Sequence, residues 1–285
     1  MISRRMLAIR PRAANRRHGR TLVPRQMPGT CSVSGYASVR CMWPDIVDLR
    51  DFYDSGLGHV ARRMIRRQLR AMWPDVAGMN LLGLGYAAPF LRTFQDEAAR
   101  TIAAMPSGMG VLAWAGAADG ARNLAMLAQE DGLPLADLSM DRILLVHSLE
   151  HSEHLRDMLR EVWRVLADGG RLVVVVPNRR SIWARFEHTP FGHGQPYTPN
   201  QINGILRGAM FAPMRSAVCL YMPPTRRHFW LKTAPAWEKV GERWFAPLGG
   251  VTIVEASKQI YGGIPAGATA RRRGYVRVGA SAGGG

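Results

Sequence analysis

The chain has few cysteines and no long apolar run. Only three of its 285 residues are cysteine, and two of these, Cys31 and Cys41, lie near the amino terminus. A disulfide framework is therefore excluded. Cys219 lies in an apolar run and is predicted to be a core residue. No stretch reaches the roughly 18 apolar residues that a membrane-spanning helix needs, so the sequence predicts a cytoplasmic protein without a membrane span.

Acidic residues are missing from both ends of the chain. Residues 1–41 carry nine arginines, residues 264–285 carry four, and neither segment contains an acid. The formal net charge of +17 therefore leaves +4 for residues 42–263. The sequence predicts a basic, disordered extension over 1–41, one domain over 42–263, and a disordered basic and glycine-rich tail over 264–285. Nucleic-acid binding is expected only through these tails.

The start of the protein allows two interpretations. The first residues are arginine-rich and acid-free, as organelle transit peptides are. The first patterned segment, "MWPDIVDLRDFY", begins only at Met42. We favour either translation from Met42 or a simple disordered extension that begins at Met1.

The middle of the chain predicts a strand, a helix and a second strand. "DRILLVHS" (141–148) and "GRLVVVVPN" (170–178) are continuous apolar runs. Between them, "SEHLRDMLREVWRVLADGG" has apolar residues at helical spacing, with Ser152 placed to cap its start and Gly169–Gly170 its end. Continuous apolar strands are covered on both faces, as in the parallel sheets of α/β proteins.

The other patterned segments complete an α/β order. Helices are predicted over 56–73, from "PFLRTF" onward, after a Thr198 cap, and over 227–245. Strands are predicted at "MNLLGLG", "GVLAWAG", "RNLAMLAQ", "MRSAVCLYMP" and "GVTIVEASKQIY". This order indicates a sheet with helices on both faces.

The stretch from Glu130 to Arg179 resembles class I S-adenosylmethionine-dependent methyltransferases. "LPLADLSMD" is similar to their Leu-Pro-Phe…Ser-Phe-Asp segment. "LREVWRVLADGG" is similar to their Leu-x-Glu-x-x-Arg-Val-Leu-x-Pro-Gly-Gly helix end, with Asp168 where proline is usual. Further on, "VPNRRSIWARFEHTPFGHGQPYTPNQI" and "GGVTIVEASKQIYG" resemble a bacterial subgroup described only as methyltransferase-domain proteins. The resemblance implies a Rossmann-like seven-stranded, mostly parallel sheet, S-adenosyl-L-methionine as cofactor, and a small-molecule or other unidentified methyl acceptor.

The resemblance places the methionine part of the cofactor at "NLLGLGYAAPFL" (80–91), which lacks half of the family's pattern. Gly85 keeps the first turn glycine, but Gly83 stands where the first strand ends in an acid. The second and third glycines are replaced by alanine and proline. Main-chain groups of Gly83 and Gly85, with Tyr86 beside them, are implied to hold the cofactor. Loss of the carboxylate removes a charge-assisted hydrogen bond of about 1.5–3 kcal/mol.

Two more family anchors are altered. Met105 or Pro106 stands where the second strand should end in the acid that holds the ribose hydroxyls. Gln129 stands where an acid often reaches the adenine amine, with Asp131 two residues further on; glutamine can still accept from the amine.

Polar residues after the two middle strands are the candidates for substrate contact and catalysis, because this edge of a parallel sheet lines the ligand crevice. His147 is expected beside the cofactor and His151 towards the substrate. The candidate general bases are His151, His193 and Glu187; the candidate substrate contacts are Asn178, Arg179 and Arg185. The alternative is that the histidines pack the helix start and that aromatic residues hold the 178–199 loop in place.

His147, Glu150 and His151 also spell an inverted zinc-peptidase pattern. That chemistry needs both histidines on one face of a helix. Here His147 is predicted to end a strand and His151 to lie in a loop, so the sequence predicts no metal site. The missing acids support a competing hypothesis, a catalytically inactive methyltransferase fold that binds a ligand or a partner.

Overall fold

The computed structural model describes residues 43–114, 122–225 and 227–259; the predicted tails, 1–41 and 264–285, lie outside this range. The helices are α1 (Ile46–Asp54), α2 (Gly56–Met72), α3 (Ala88–Leu91), α4 (Leu155–Val165), α5 (Pro199–Gly208) and α6 (His228–Trp244). The strands are β1 (Asn80–Gly85), β2 (Arg100–Pro106), β3 (Ala125–Ala128), β4 (Met140–Val146), β5 (Leu166–Pro177), β6 (Phe211–Cys219) and β7 (Val251–Lys258).

The strands form one seven-stranded sheet in the order β3-β2-β1-β4-β5-β7-β6. β7 is antiparallel to both of its neighbours, and the other described pairs are parallel. The predicted Rossmann-like, mostly parallel sheet is therefore confirmed. The strand order reverses between β1 and β4, and ligands of such sheets bind in the crevice beyond the carboxyl ends of the strands at this point.

Both faces of the sheet are covered, as the valine run of β5 predicts. Val173 and Val175 belong to one hydrophobic core with α1, α2, α3 and part of α6, whereas Val174 and Val176 belong to a second core with α4 and α5. Cys219 is buried, as predicted. Thr198 and Gln201 form a capping box at the start of α5, so that predicted cap is confirmed too. No helix among the described residues is long and apolar enough to cross a membrane.

Three local predictions are wrong. Ser152 does not cap α4, because the helix begins three residues later, at Leu155, and its cap position, His154, makes no side-chain cap bond. The helix also ends before Gly169–Gly170, since Leu166 already has an extended backbone and opens β5. The described part of "GVLAWAG", residues 110–114, is not a strand; the Trp114 N–H donates to Asn123 Oδ1 at 2.9 Å instead of to a strand.

Candidate functional site

Gly85 forms the turn at the centre of the candidate site. β1 ends at Gly85, which has a φ of +83°, and the next residue donates its N–H to Val146 O at the end of β4, 2.8 Å away. A Cβ at Gly85 would lie 2.2 Å from the same carbonyl oxygen. Both the positive φ and the close approach require glycine, so the first turn glycine is kept for a physical reason.

The packing around Gly83 leaves no room for the acid that ends the first strand in the resembled family. A Cβ at this position would meet Ala87 Cβ at 2.5 Å and Leu91 Cδ1 at 2.7 Å. α3 therefore occupies the space that an acid side chain at this position would need. The loop is packed for glycine here.

Two tyrosines fill the crevice above the turn. The ring of Tyr53 from α1 stacks on the ring of Tyr86, with centroids 5.5 Å apart and planes 17° apart. Both side chains are buried. Burial raises the pKa of Tyr53 well above its ordinary value and the pKa of Tyr86 to about 12, so both hydroxyls are neutral at neutral pH. α1 thus covers the turn by stacking Tyr53 on Tyr86.

His147 lies directly after β4 and faces this aromatic pair. Its φ of +51° is unusual for a residue with a side chain and costs about 1–3 kcal/mol. Its Nε2 lies 2.8 Å from the Tyr53 hydroxyl and its Nδ1 lies 3.1 Å from Glu150 Oε1, in each case sharing a hydrogen bond. The Phe191 ring packs against it, with centroids 5.2 Å apart. His147 therefore lies in a buried network at the predicted edge of the sheet.

Glu150 and His151 complete this cluster. Both are buried in the loop between β4 and α4. The ligand atoms of His147, Glu150 and His151 all lie within 4.8 Å of one another. His147 follows β4 directly and His151 lies in the loop, close to where the sequence places them. A sharp turn of the loop brings together three side chains that share no helical face.

His193 and Glu187 lie at the exposed rim of the 178–199 loop. His193 Nε2 is 2.6 Å from the main-chain oxygen of Glu187 and donates to it. The next residues cover the buried cluster: the Gln195 N–H donates to Glu150 O at 2.8 Å, and a Cβ at Gly194 would meet the His151 ring. Their role as bases stays a prediction, as does that of His151.

The three predicted substrate residues differ in placement. Asn178 is buried, and its Nδ2 donates to Pro247 O at 2.9 Å and Gly249 O at 2.8 Å. This geometry favours a structural role, because both side-chain donors point into the protein. Arg179 and Arg185 are exposed, so their side chains remain available to a ligand.

The residues at the expected ribose and adenine positions lie at the ends of β2 and β3, and the contacts of Gln129 and Asp131 with a cofactor stay a prediction. Met105 is buried at the end of β2 and accepts the Leu112 N–H through its sulfur at 3.4 Å. Gln129 and Asp131 are exposed after β3, and β3 is separated from β1 by β2.

In this conformation the residues do not fit S-adenosylmethionine. The turn glycine is present, but no carboxylate ends β1 or β2, and Tyr53 and Tyr86 occupy the crevice. Two small cavities among the described residues lie away from the turn. One, of about 210 Å³, lies between α2, β6 and α6; the other, of about 230 Å³, lies beside α1 and His188.

Sequence reasoning missed two residues of the site. Glu150 was visible within the His-x-x-Glu-His pattern but was given no role. Tyr53 lies 94 residues before His147, and its only local signal is its place on the buried face of α1.

Comparison with known proteins agrees with the fold. Residues 82–174 match a family model described as a methyltransferase domain. No curated protein matches the chain in sequence. A solved S-adenosylmethionine-dependent methyltransferase from Thermotoga maritima, described as a possible histamine N-methyltransferase, is 14% identical; the match covers 75% of this chain and 96% of that one, with a TM-score of 0.54. A chain from the complex of the Haloferax volcanii Trm112 methyltransferase activator is 16% identical; the match covers 78% of this chain and 100% of that one, with a TM-score of 0.54.

Proposed function

We propose that this chain, which has the class I methyltransferase fold and a methyltransferase domain over residues 82–174, transfers a methyl group from S-adenosylmethionine to an unidentified acceptor. The cofactor carries an already activated methyl group, so the protein has to supply binding and alignment. We expect the reaction to take place in the cytoplasm and the acceptor to be a small molecule or another unidentified compound.

The observation that carries this proposal is the Gly85 turn. It lies where the strand order reverses, at the position where this fold binds ligands, and it keeps the close main-chain approach between β1 and β4. Binding at this turn requires α1 to move, because Tyr53 stacks on Tyr86 there. We therefore propose that α1 is a lid, and that a closed and an open state exchange before the cofactor binds.

Calorimetric titration of the full chain with S-adenosylmethionine and with S-adenosylhomocysteine tests this proposal. We expect micromolar to submillimolar binding, weakened by the missing carboxylate and by the cost of opening. Tyr53→Leu should bind more tightly, because it removes the ring that stacks on Tyr86 while it keeps the apolar face of α1. Trp244→Leu, at a side chain that is 72% exposed, is the control and should leave affinity unchanged.

A second candidate function is favoured by the filled crevice. If Tyr53 and Tyr86 are permanent core residues, the chain is a catalytically inactive methyltransferase fold that binds another ligand or a partner. This candidate predicts no binding of either compound up to millimolar concentration, by the natural chain or by Tyr53→Leu, although both unfold cooperatively. That result would overturn the enzymatic proposal.

A further inference from the structure

We propose that His147, Glu150 and His151 bind one divalent first-row transition-metal ion. Each side chain is at most 2% exposed, and each offers a ligand atom within 4.8 Å of the other two. This site does not rest on the proposed methyl transfer, because its ligands belong to the chain whether or not a cofactor binds.

The distance between His147 and Glu150 suits two ligands of one ion. His147 Nδ1 and Glu150 Oε1 lie 3.1 Å apart. Zinc bonds of about 2.0–2.1 Å to nitrogen and oxygen put two ligand atoms of a tetrahedral site roughly 3.3–3.4 Å apart. These two atoms therefore have to move apart by only a few tenths of an ångström to bind the same ion.

The outer partner of His147 is also in place. Its second ring nitrogen, Nε2, lies 2.8 Å from the Tyr53 hydroxyl. Histidines that ligate metals typically use their second nitrogen for such a hydrogen bond, which fixes the ring and its tautomer. Phe191 packs against the same ring and limits its rotation further.

Glu150 supplies an independent reason for a cation. Its side chain is fully buried; within the described residues its Oε2 has no hydrogen-bond partner, and its Oε1 is paired with His147. A buried carboxylate is costly unless it is paired with positive charge or fully hydrogen-bonded. A metal ion beside His147 and His151 would supply that charge.

The donor set limits which ion fits. Two imidazoles and one carboxylate suit zinc and other first-row divalent ions better than magnesium or calcium, which prefer oxygen ligands. Three protein ligands leave a fourth position for a water or an oxygen atom of a bound compound, the arrangement of catalytic rather than structural zinc sites.

The test uses the full chain after treatment with a chelator. Zinc should bind with a stoichiometry of one in a calorimetric titration. Cobalt(II), added as a spectroscopic probe, should give the visible absorption of a tetrahedral site, and zinc should abolish that absorption. Absence of stoichiometric binding of both ions to the folded chain would overturn the proposal.

Variants locate the ion. Glu150→Gln and His151→Ala should each weaken zinc binding at least tenfold and change the cobalt spectrum. Tyr53→Phe keeps the ring but removes the hydroxyl, and should weaken binding roughly 10- to 100-fold; it serves if the first two variants do not fold. The control is His59→Ala, an exposed histidine on α2, which should bind as the natural chain does. Undiminished binding in the variants that fold would place the ion elsewhere and overturn the proposal.

Discussion

Replacement of Asn178 by aspartate is expected to destabilise the fold by roughly 3 to 5 kcal/mol at neutral pH. The Asn178 amide donates to Pro247 O and Gly249 O and is 1% exposed. Aspartate has the same shape, but it replaces two donors with an oxygen that faces two carbonyl oxygens. Both carbonyls lose a partner and a charge is buried, so the penalty contains two losses of hydrogen bonding and a cost of desolvation.

The pH dependence of this penalty follows from the same geometry. Burial and the facing carbonyl oxygens raise the pKa of an aspartate at position 178 above its unfolded value of about 3.9. The penalty is therefore smallest below that unfolded value and grows as pH rises through the folded pKa. Urea unfolding at pH 5 and at pH 8 should show the larger loss at pH 8.

Asn200→Asp is the matched control for this prediction. Asn200 is exposed in the first turn of α5, where a negative charge interacts favourably with the helix dipole. The same substitution should therefore be neutral or slightly stabilising there. If both variants lose little stability, the two hydrogen bonds of the Asn178 amide do not stabilise the fold. The predicted contact of Asn178 with substrate is then favoured.

Replacement of Arg164 by alanine is the second change with a large expected effect, a loss of roughly 2 to 4 kcal/mol. Its guanidinium donates to Leu133 O at 3.0 Å and Leu135 O at 2.9 Å, and to the carboxylates of Glu161 and Asp137. It thereby ties the loop before β4 to α4. Both segments belong to the stretch that resembles methyltransferases. The Arg164 hydrogen bonds give a structural reason why the two sequence patterns occur together.

The Arg164 variant should also change how stability depends on pH. The hydrogen bond from Arg164 is the main cause that lowers the pKa of Glu161. A carboxyl with a lowered folded pKa stabilises the fold above its unfolded pKa of about 4.3, and that contribution is lost as pH falls through the folded pKa. The difference in unfolding free energy between the natural chain and Arg164→Ala should therefore shrink at acid pH.

Arg160→Ala is the control for Arg164→Ala. Arg160 lies one turn earlier on α4 and is exposed, so its loss should change stability by less than about 0.5 kcal/mol. The comparison is made by unfolding both variants in guanidinium chloride at several pH values between pH 3 and pH 7. Equal effects of the two substitutions would show that the loop is held in place without Arg164.

The fold was predictable where its cause is local and repeated. Val173 to Val176 contribute alternately to two cores, so β5 is apolar at every position from 172 to 176, and that run identifies a strand covered on both faces. Thr198 with Gln201 is a capping box that can be read within four residues. "GVLAWAG" misled because a short apolar run is also compatible with a loop, in whose described part Trp114 is buried and Val111 is exposed. Ser152 misled because α4 begins at Leu155 without a side-chain cap bond.

The site was predictable only in part, because its contacts join distant segments. The Gly85 turn and the place of His147 follow from the motif and from the sheet edge. The burial of Asn178 by residues 247 and 249, and the stacking of Tyr53 on Tyr86, depend on how later and earlier elements pack there. Neither contact leaves a signal in the local sequence, so the sequence does not predict the stacking of Tyr53 or the burial of Asn178, whose contact with substrate stays a prediction.

The central claim is that α1 is a lid over a working cofactor turn. Hydrogen–deuterium exchange of the full chain, with and without saturating S-adenosylhomocysteine, tests it most directly. We predict slower exchange over the turn, residues 83–91, and faster exchange over α1, residues 46–54, because the ligand binds where Tyr53 now stacks. Unchanged exchange in both segments at millimolar ligand, in a protein that stays folded, would contradict the claim and identify the tyrosine pair as permanent core.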